Sequence, residues 1–180
     1  MLRHGLLSPA LLTLVLASGC GGSEPASPTP TTAVTLTVTS TAFTEGGAIP
    51  ADFTCTGAGN RPPLQWSGAS AQAYAIVVND PDAPGGDYHH WIVVDLPAGT
   101  AGVGAAIPGQ ARQLKNSAGE AGWTAPCPPS GTHHYRFTVY ALSAPTRAST
   151  VENAFAAIEK TTIAAGTLTG TVAHQAASGR

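Results

Sequence analysis

The sequence predicts a mainly β domain closed by one or two short C-terminal helices. Three observations carry this. Val34-Thr-Leu-Thr-Val-Thr39 alternates apolar and polar residues at period two, the mark of a half-buried strand. Tyr74-Ala-Ile-Val-Val78 and Trp91-Ile-Val-Val-Asp-Leu96 are apolar on both faces, as strands covered on two sides are. Only the tail carries a helical pattern: after Thr150, positions Val151, Phe155 and Ile158 share one face.

Residues 1–20 read as a targeting segment rather than as structure. Arg3 and His4 give a polar start, Leu6 to Ala17 an apolar run, and Ala17-Ser-Gly-Cys20 places small residues directly before a cysteine. The run is shorter than the ~20 residues a membrane span needs. The pattern resembles a bacterial lipoprotein signal, in which Cys20 becomes the lipidated first residue. An ordinary secretory signal cut near Gly19 is the alternative. Residues 21–33, rich in Gly, Ser, Pro and Thr, then read as a flexible tether. The expectation is an exported chain, lipid-anchored to the bacterial cell envelope through Cys20 and facing the periplasm or the cell surface.

Residues 34–180 make one domain by length, large enough to hold a core without staples. With 10% charged residues and a net charge of −2, the chain has no basic patch for nucleic acid or anionic lipid. Gly46-Gly47 and Pro50 end the first strand, and Asp52 to Pro63 is a loop. Leu64-Gln-Trp66 is a short strand, Tyr74 to Val78 a central one, and Trp91 to Leu96 another, stopped by Pro97. Ala98 to Gly131 is long, Gly-rich and without a regular pattern; a loop of that length in a compact domain is usually functional. Tyr135 to Leu142 alternates clearly and is a strand. After the helix at 150–160, Thr161 to Ala165 is expected to prolong it or to start a second one. Thr167-Leu-Thr-Gly-Thr-Val172 then returns as a strand.

Cys55 and Cys127 both sit beside turn-rich loops, which in an exported chain makes them a disulfide candidate. Two buried, unbonded thiols are the alternative.

Two polar segments stand out. Asp80-Pro-Asp-Ala-Pro84 leads to His89-His-Trp91, and Pro128-Pro-Ser-Gly-Thr-His-His-Tyr135 leads into the last clear strand. Turn chemistry alone accounts for the Asp-Pro pairs. Strand alternation separates the later histidines: His133 shares a face with Tyr135, Phe137 and Val139, and His134 shares the other with Arg136 and Thr138. His133 and Tyr135 should therefore point inward and His134 outward. In the earlier segment both faces are apolar, and alternation does not choose between His89 and His90.

Taken together, these motifs resemble the phosphatidylethanolamine-binding protein family, in its bacterial Raf-kinase-inhibitor-like branch. The residues that carry the likeness are Asp-Pro-Asp-Ala-Pro at 80–84, His90-Trp91 before a strand ending Leu96-Pro97, and Pro-Pro-x-Gly-x-His-x-Tyr-x-Phe at 128–137. Thr54-Cys-Thr-Gly57, Pro62-Pro-Leu-x-Trp66 and Gly122-Trp-Thr-Ala-Pro-Cys-Pro-Pro129 extend it over roughly residues 41–172. The resemblance implies a β-sandwich with C-terminal helices and a pocket for a small anion, such as phosphate or a phospholipid headgroup. By position, the ligand-binding residues are Asp80, Asp82, His90, Gly131, His133 and Tyr135, with Pro84 and Pro129 shaping the rim. His134 stands where the family commonly has Arg, and Val172 where it often has Tyr. The two carboxylates are expected to orient His90 and His133 and to raise their pKa values, so that anion binding strengthens as pH falls.

The chain has no Gly-x-Ser-x-Gly elbow, no Walker loop and no His-Glu-x-x-His, so catalysis is not expected, and no cofactor is implied. Two other readings stay open. One is a metal-dependent hydrolase ligated by Asp80, Asp82, His90 and His133. The other is an interaction module that inhibits or regulates a protein target outside the cytoplasm, such as a protease.

Overall fold

The structure is a computed structural model that describes residues 34–175. The expected signal at 1–20, with Cys20, and the tether at 21–33 lie outside the described residues. The elements run β1 (Thr37–Thr39), a 3-10 turn (Ala51–Phe53), β2 (Leu64–Ser67), β3 (Ala73–Asp80), β4 (Tyr88–Pro97), β5 (Gly102–Val103), β6 (Arg112–Gln113), β7 (Thr132–Leu142), α1 (Val151–Thr161) and β8 (Thr162–Ala173). They form a three-stranded sheet, β1-β2-β5, and a five-stranded sheet, β6-β4-β3-β7-β8. The neighbouring strands in both are antiparallel.

β3 lies at the centre of the larger sheet, and both its faces are covered. One face packs Ile76, Val78, Val93, Phe137, Val139 and Leu168 against Leu36, Val38, Leu64, Trp66 and Val103 of the smaller sheet's side. The other packs Ala75, Val77, Ile92, Val94 and Leu142 against Ala154 and Ile158 of α1. The continuous apolar runs of β3 and β4 follow from this double coverage. The mainly β expectation holds, with a sandwich as the resemblance implied.

The end of the chain differs from expectation. Among the described residues there is one α-helix, and Thr161 to Ala165 neither prolong it much nor begin another. α1 starts where expected, with the Thr150 hydroxyl accepting from Asn153 N. It stops at Thr161, because the Thr161 and Thr162 hydroxyls donate back to the Ala157 and Ile158 carbonyls at 2.7 and 2.6 Å. The side chains satisfy the last turn, and Thr162 is free to turn extended. β8 then pairs with β7 along nearly its whole length, from Leu142↔Thr162 to Thr132↔Ala173. Gly166 has a specific reason to be glycine: a Cβ there would sit 2.0 Å from the Leu36 carbonyl oxygen, where the chain entering β1 crosses β8.

Two further features position the site. β4 and β7 begin before the apolar runs, at Tyr88 and Thr132, so the four histidines of the two polar segments, His89, His90, His133 and His134, lie within strands. Cys55 and Cys127 form a disulfide with their Cα atoms 5.3 Å apart. Beside it, Cys55 N donates to Pro126 O at 3.0 Å, joining the loop before β2 to the loop before β7.

Candidate functional site

At one end of the central strands, β3 finishes and β4 and β7 begin. The ladder between β3 and β4 slips there: Val78 faces Trp91 but Asn79 faces His89, so His90 is the extra residue of a β-bulge. The bulge lets two successive side chains, His90 and Trp91, turn toward the same side. Both pack against Trp123, with ring centroids 6.3 and 6.4 Å away. His89 goes to the opposite face and packs tilted against the Phe155 ring of α1 at 5.0 Å. His133 and Tyr135 are buried and His134 is exposed, as alternation predicts.

Asp80 organises the group. It is 3% exposed; one carboxylate oxygen, Oδ2, accepts from His133 Nδ1 at 2.7 Å, and Oδ1 accepts from Asp82 N at 2.9 Å. His90 Nδ1 lies 2.8 Å from the Thr124 carbonyl oxygen, and Thr124 N donates back to His90 O at 3.0 Å. A carbonyl or an ionised carboxylate only accepts, so both rings are assigned as Nδ1–H tautomers. In each ring Nε2 is left without a partner among the described residues, and neither is a sealed, unsatisfied atom. The Tyr135 ring packs edge-on against His90 at 5.2 Å, and Tyr88 lies 4.9 Å from it on the other side.

The electrostatics of this group differ from expectation in two respects. Burial pushes the His90 pKa below the ordinary imidazole value; the Thr124 carbonyl and Asp80 pull the other way without prevailing. His90 is therefore held neutral in the free protein, where a raised value was expected. Asp82 does not orient an inward imidazole. It accepts from His134 Nδ1 at 2.7 Å and His134 N at 2.8 Å, both at the surface, and these bonds lower its pKa. The reason is alternation, which brings the outward His134 beside the turn that holds Asp82. Burial, followed by the charge and hydrogen bond of Asp80, pushes the Tyr135 phenol far up, so its hydroxyl keeps its proton.

The structure thus brings together Asp80, His90, His133 and Tyr135. Pro84 sits in an exposed turn closed by Gly86 N donating to Ala83 O at 2.9 Å. Gly131 takes a left-handed φ of 64°, which lets the chain swing into β7 two residues before His133. Its carbonyl accepts from His174 N at 2.6 Å, and His174 Nδ1 donates to Pro128 O at 2.9 Å, so the end of β8 pins this rim. Pro129 lines a separate cavity of about 180 Å³ beside the disulfide.

Sequence reasoning missed the supports. Asn116 is 7% exposed and holds the loop from 116 to 124 together. Its Nδ2 donates to Gly122 O at 3.1 Å and Thr124 Oγ1 at 2.8 Å, and its Oδ1 accepts from Ala118 N and Glu120 N. That loop delivers the Thr124 carbonyl to His90 and Trp123 to its ring. Arg61 lies 4.3 Å over the Trp91 ring and donates to the Gly104 and Ala105 carbonyls. Among the described residues, no group of three or more His, Cys, Asp or Glu is arranged to hold a metal ion.

A sandwich with a helix on one face, and two buried imidazoles framed by one carboxylate at its pole, defines the class of protein. The sequence pattern of the phosphatidylethanolamine-binding protein family matches residues 39–173, and the chain belongs to that family. It is 45% identical over 131 residues to UPF0098 protein Rv1910c of Mycobacterium tuberculosis, covering 71% of this chain and 63% of that one. The chain therefore spans under two thirds of that relative's length. It is 41% identical over 160 residues to the protein named "Putative lipoprotein LppC" of the same species, covering 78% of this chain and 80% of that one. Among solved structures, the phosphatidylethanolamine-binding protein homologue CT736 of Chlamydia trachomatis superposes with a TM-score of 0.72 at 34% identity, covering 78% of this chain and 99% of that one. YbcL of Escherichia coli, described as a member of the mammalian family, gives 0.72 at 30%, with the same coverage.

Proposed function

We propose that this is a lipid-anchored, extracytoplasmic binding protein that holds a small anion, phosphate or a phospholipid headgroup, between His90, His133 and Tyr135. The observation that carries the reading is the commitment of both Nδ1 atoms. With each Nδ1 fixed as a donor to Thr124 O or Asp80, each ring offers a ligand only Nε2. A neutral Nε2 is an acceptor and repels an anionic oxygen; a protonated one is a charge-assisted donor. Anion binding therefore takes up protons, either onto the imidazoles or as P–OH groups donating to Nε2. The Tyr135 hydroxyl keeps its proton and directs it to Asp80, so it borders the ligand and donates to it only by turning from that carboxylate. The groups that bear on His90 are Asp80 from β3, His89 and Tyr88 from β4, and His133 and Tyr135 from β7. Burial keeps His90 neutral in the free protein, so affinity rises as pH falls through the imidazole range.

The expected signal pattern ending at Cys20 and the name of the LppC relative support the lipid anchor. Holding a ligand, rather than transforming it, fits a site whose polar atoms are spent orienting one another. Regulation or inhibition of an envelope protein would then follow from occupancy of this pocket. Calorimetry with inorganic phosphate and with phosphoethanolamine, at about pH 6 and about pH 8, spans the imidazole titration. Tighter binding at the lower pH, weakened by His133→Gln, supports the reading. Binding of phosphoethanolamine alone points to the headgroup, and binding of both to the phosphate group. Binding of neither at either pH rejects the site.

A further inference from the structure

A second cavity, of about 760 Å³, opens at the opposite end of the larger sheet, where β4 finishes and β3 begins. Its volume lies within the range of small-molecule sites. Arg112 and Arg147 line it, with Asp95 between them. We propose that this cavity is a separate binding site for a small organic carboxylate with an apolar body.

Asp95 is fully used. Its Oδ1 accepts from Thr146 N at 2.7 Å, Thr146 Oγ1 at 2.9 Å and Arg147 N at 3.3 Å, and its Oδ2 accepts from Arg112 Nη2 at 2.5 Å. Among the described residues, the two non-glycine residues with a left-handed backbone are Asp95, at φ 61°, and Arg147, at φ 53°. Such conformations are strained for residues with a Cβ and persist only where the surroundings dictate them. Here they face each other across one set of hydrogen bonds. The arrangement fixes the turn that carries Arg147 at the cavity's edge.

The charges there do not cancel. Between residues 34 and 175 the basic side chains are Arg61, Arg112, Lys115, Arg136, Arg147 and Lys160, and two of these six line one cavity. Asp95 neutralises one guanidinium. Arg147 has no ion pair or side-chain hydrogen bond among the described residues and is exposed. The local balance is one positive charge, which a monoanion matches and a phosphate dianion exceeds. A guanidinium fork takes a carboxylate through two parallel hydrogen bonds. Gln72 and Gln110 add amides at the wall, and Pro97 and Pro145 supply apolar surface for the ligand's body. This pocket shares no residue with the imidazole group, so it adds to the function proposed above rather than restating it.

The test is NMR titration of the ¹⁵N-labelled full chain with benzoate. Saturable shifts at the amides of Gly109, Gln110 and Arg147 are expected. Arg147→Met, which keeps the stem and removes the charge at an exposed position, should weaken benzoate binding at least tenfold while the rest of the spectrum is unchanged. Unaltered affinity in Arg147→Met overturns the proposal. So do shifts confined to the His90 and His133 end, and so does the absence of saturable shifts at millimolar benzoate. The benzoate result is read alone, whatever phosphate does at the other pole.

Discussion

Replacing Asp80 by alanine isolates the residue on which the proposed anion site is framed. Its carboxylate accepts from His133 Nδ1 at 2.7 Å and from Asp82 N at 2.9 Å, in a side chain 3% exposed. Alanine leaves both donors without an acceptor. An orphaned buried donor costs about 1–3 kcal/mol, so two cost roughly 2–6 kcal/mol. Asp82 N lies in the turn at the surface, where water can replace part of its bond, and this places the expectation near 3 kcal/mol. For a domain of this size 1 kcal/mol lowers the Tm by about 2–4 °C, so Asp80→Ala should lose roughly 10 °C. Asp80→Asn keeps the shape and one acceptor oxygen, and should lose about half as much stability. It also removes the charge that favours a protonated His90, so phosphate binding at about pH 6 should weaken at least tenfold. Differential scanning calorimetry with the disulfide intact measures the first effect, and titration calorimetry on the same samples the second. An Asp80→Ala protein that melts within about 2 °C of wild type and binds phosphate equally well refutes the assigned frame.

Three other outcomes follow from the same structure. Because burial holds the His90 pKa below its ordinary value, the unfolded chain takes up that proton first. Without anion, stability should be level above about pH 7 and fall as pH drops through about 6.5, a slope that urea titrations should find flattened in His90→Gln. Reducing the bond between Cys55 and Cys127, which closes a separation of 72 residues, should cost about 4 kcal/mol, read as a lower denaturant midpoint in dithiothreitol. Gly166→Ala should cost roughly 2–3 kcal/mol in chemical denaturation, because its Cβ would meet the Leu36 carbonyl at 2.0 Å and force β1's entry off β8.

Where side chains alternate regularly the sequence was sufficient: β3 reads as buried on both faces, and His133 and Tyr135 as inward. His90 was reachable only through the family resemblance, because the bulge beside Asn79 breaks the period on which alternation depends. The switch from α1 to β8 was hidden for a similar reason. No glycine or proline marks it, and the stop is made by the Thr161 and Thr162 hydroxyls bonding backward. The Thr124 carbonyl that orients His90 has no side-chain signature at all. Asn116 looks like any polar loop residue until its four hydrogen bonds are seen. The pairing of Asp82 with His134 needed three-dimensional geometry, since both inward and outward partners were available in sequence.

The central claim is that two imidazoles fixed as Nδ1–H tautomers bind an anion only together with protons. Its most direct test is titration calorimetry of inorganic phosphate at about pH 7.5, in two buffers of different ionisation enthalpy, which counts protons taken up per ligand bound. The count is the same whether a proton finishes on an imidazole or on a phosphate oxygen. Uptake of about one proton or more per phosphate, shrinking as the solution is acidified toward about pH 5.5, is the predicted result. Saturable binding with no proton uptake, or with proton release, contradicts it.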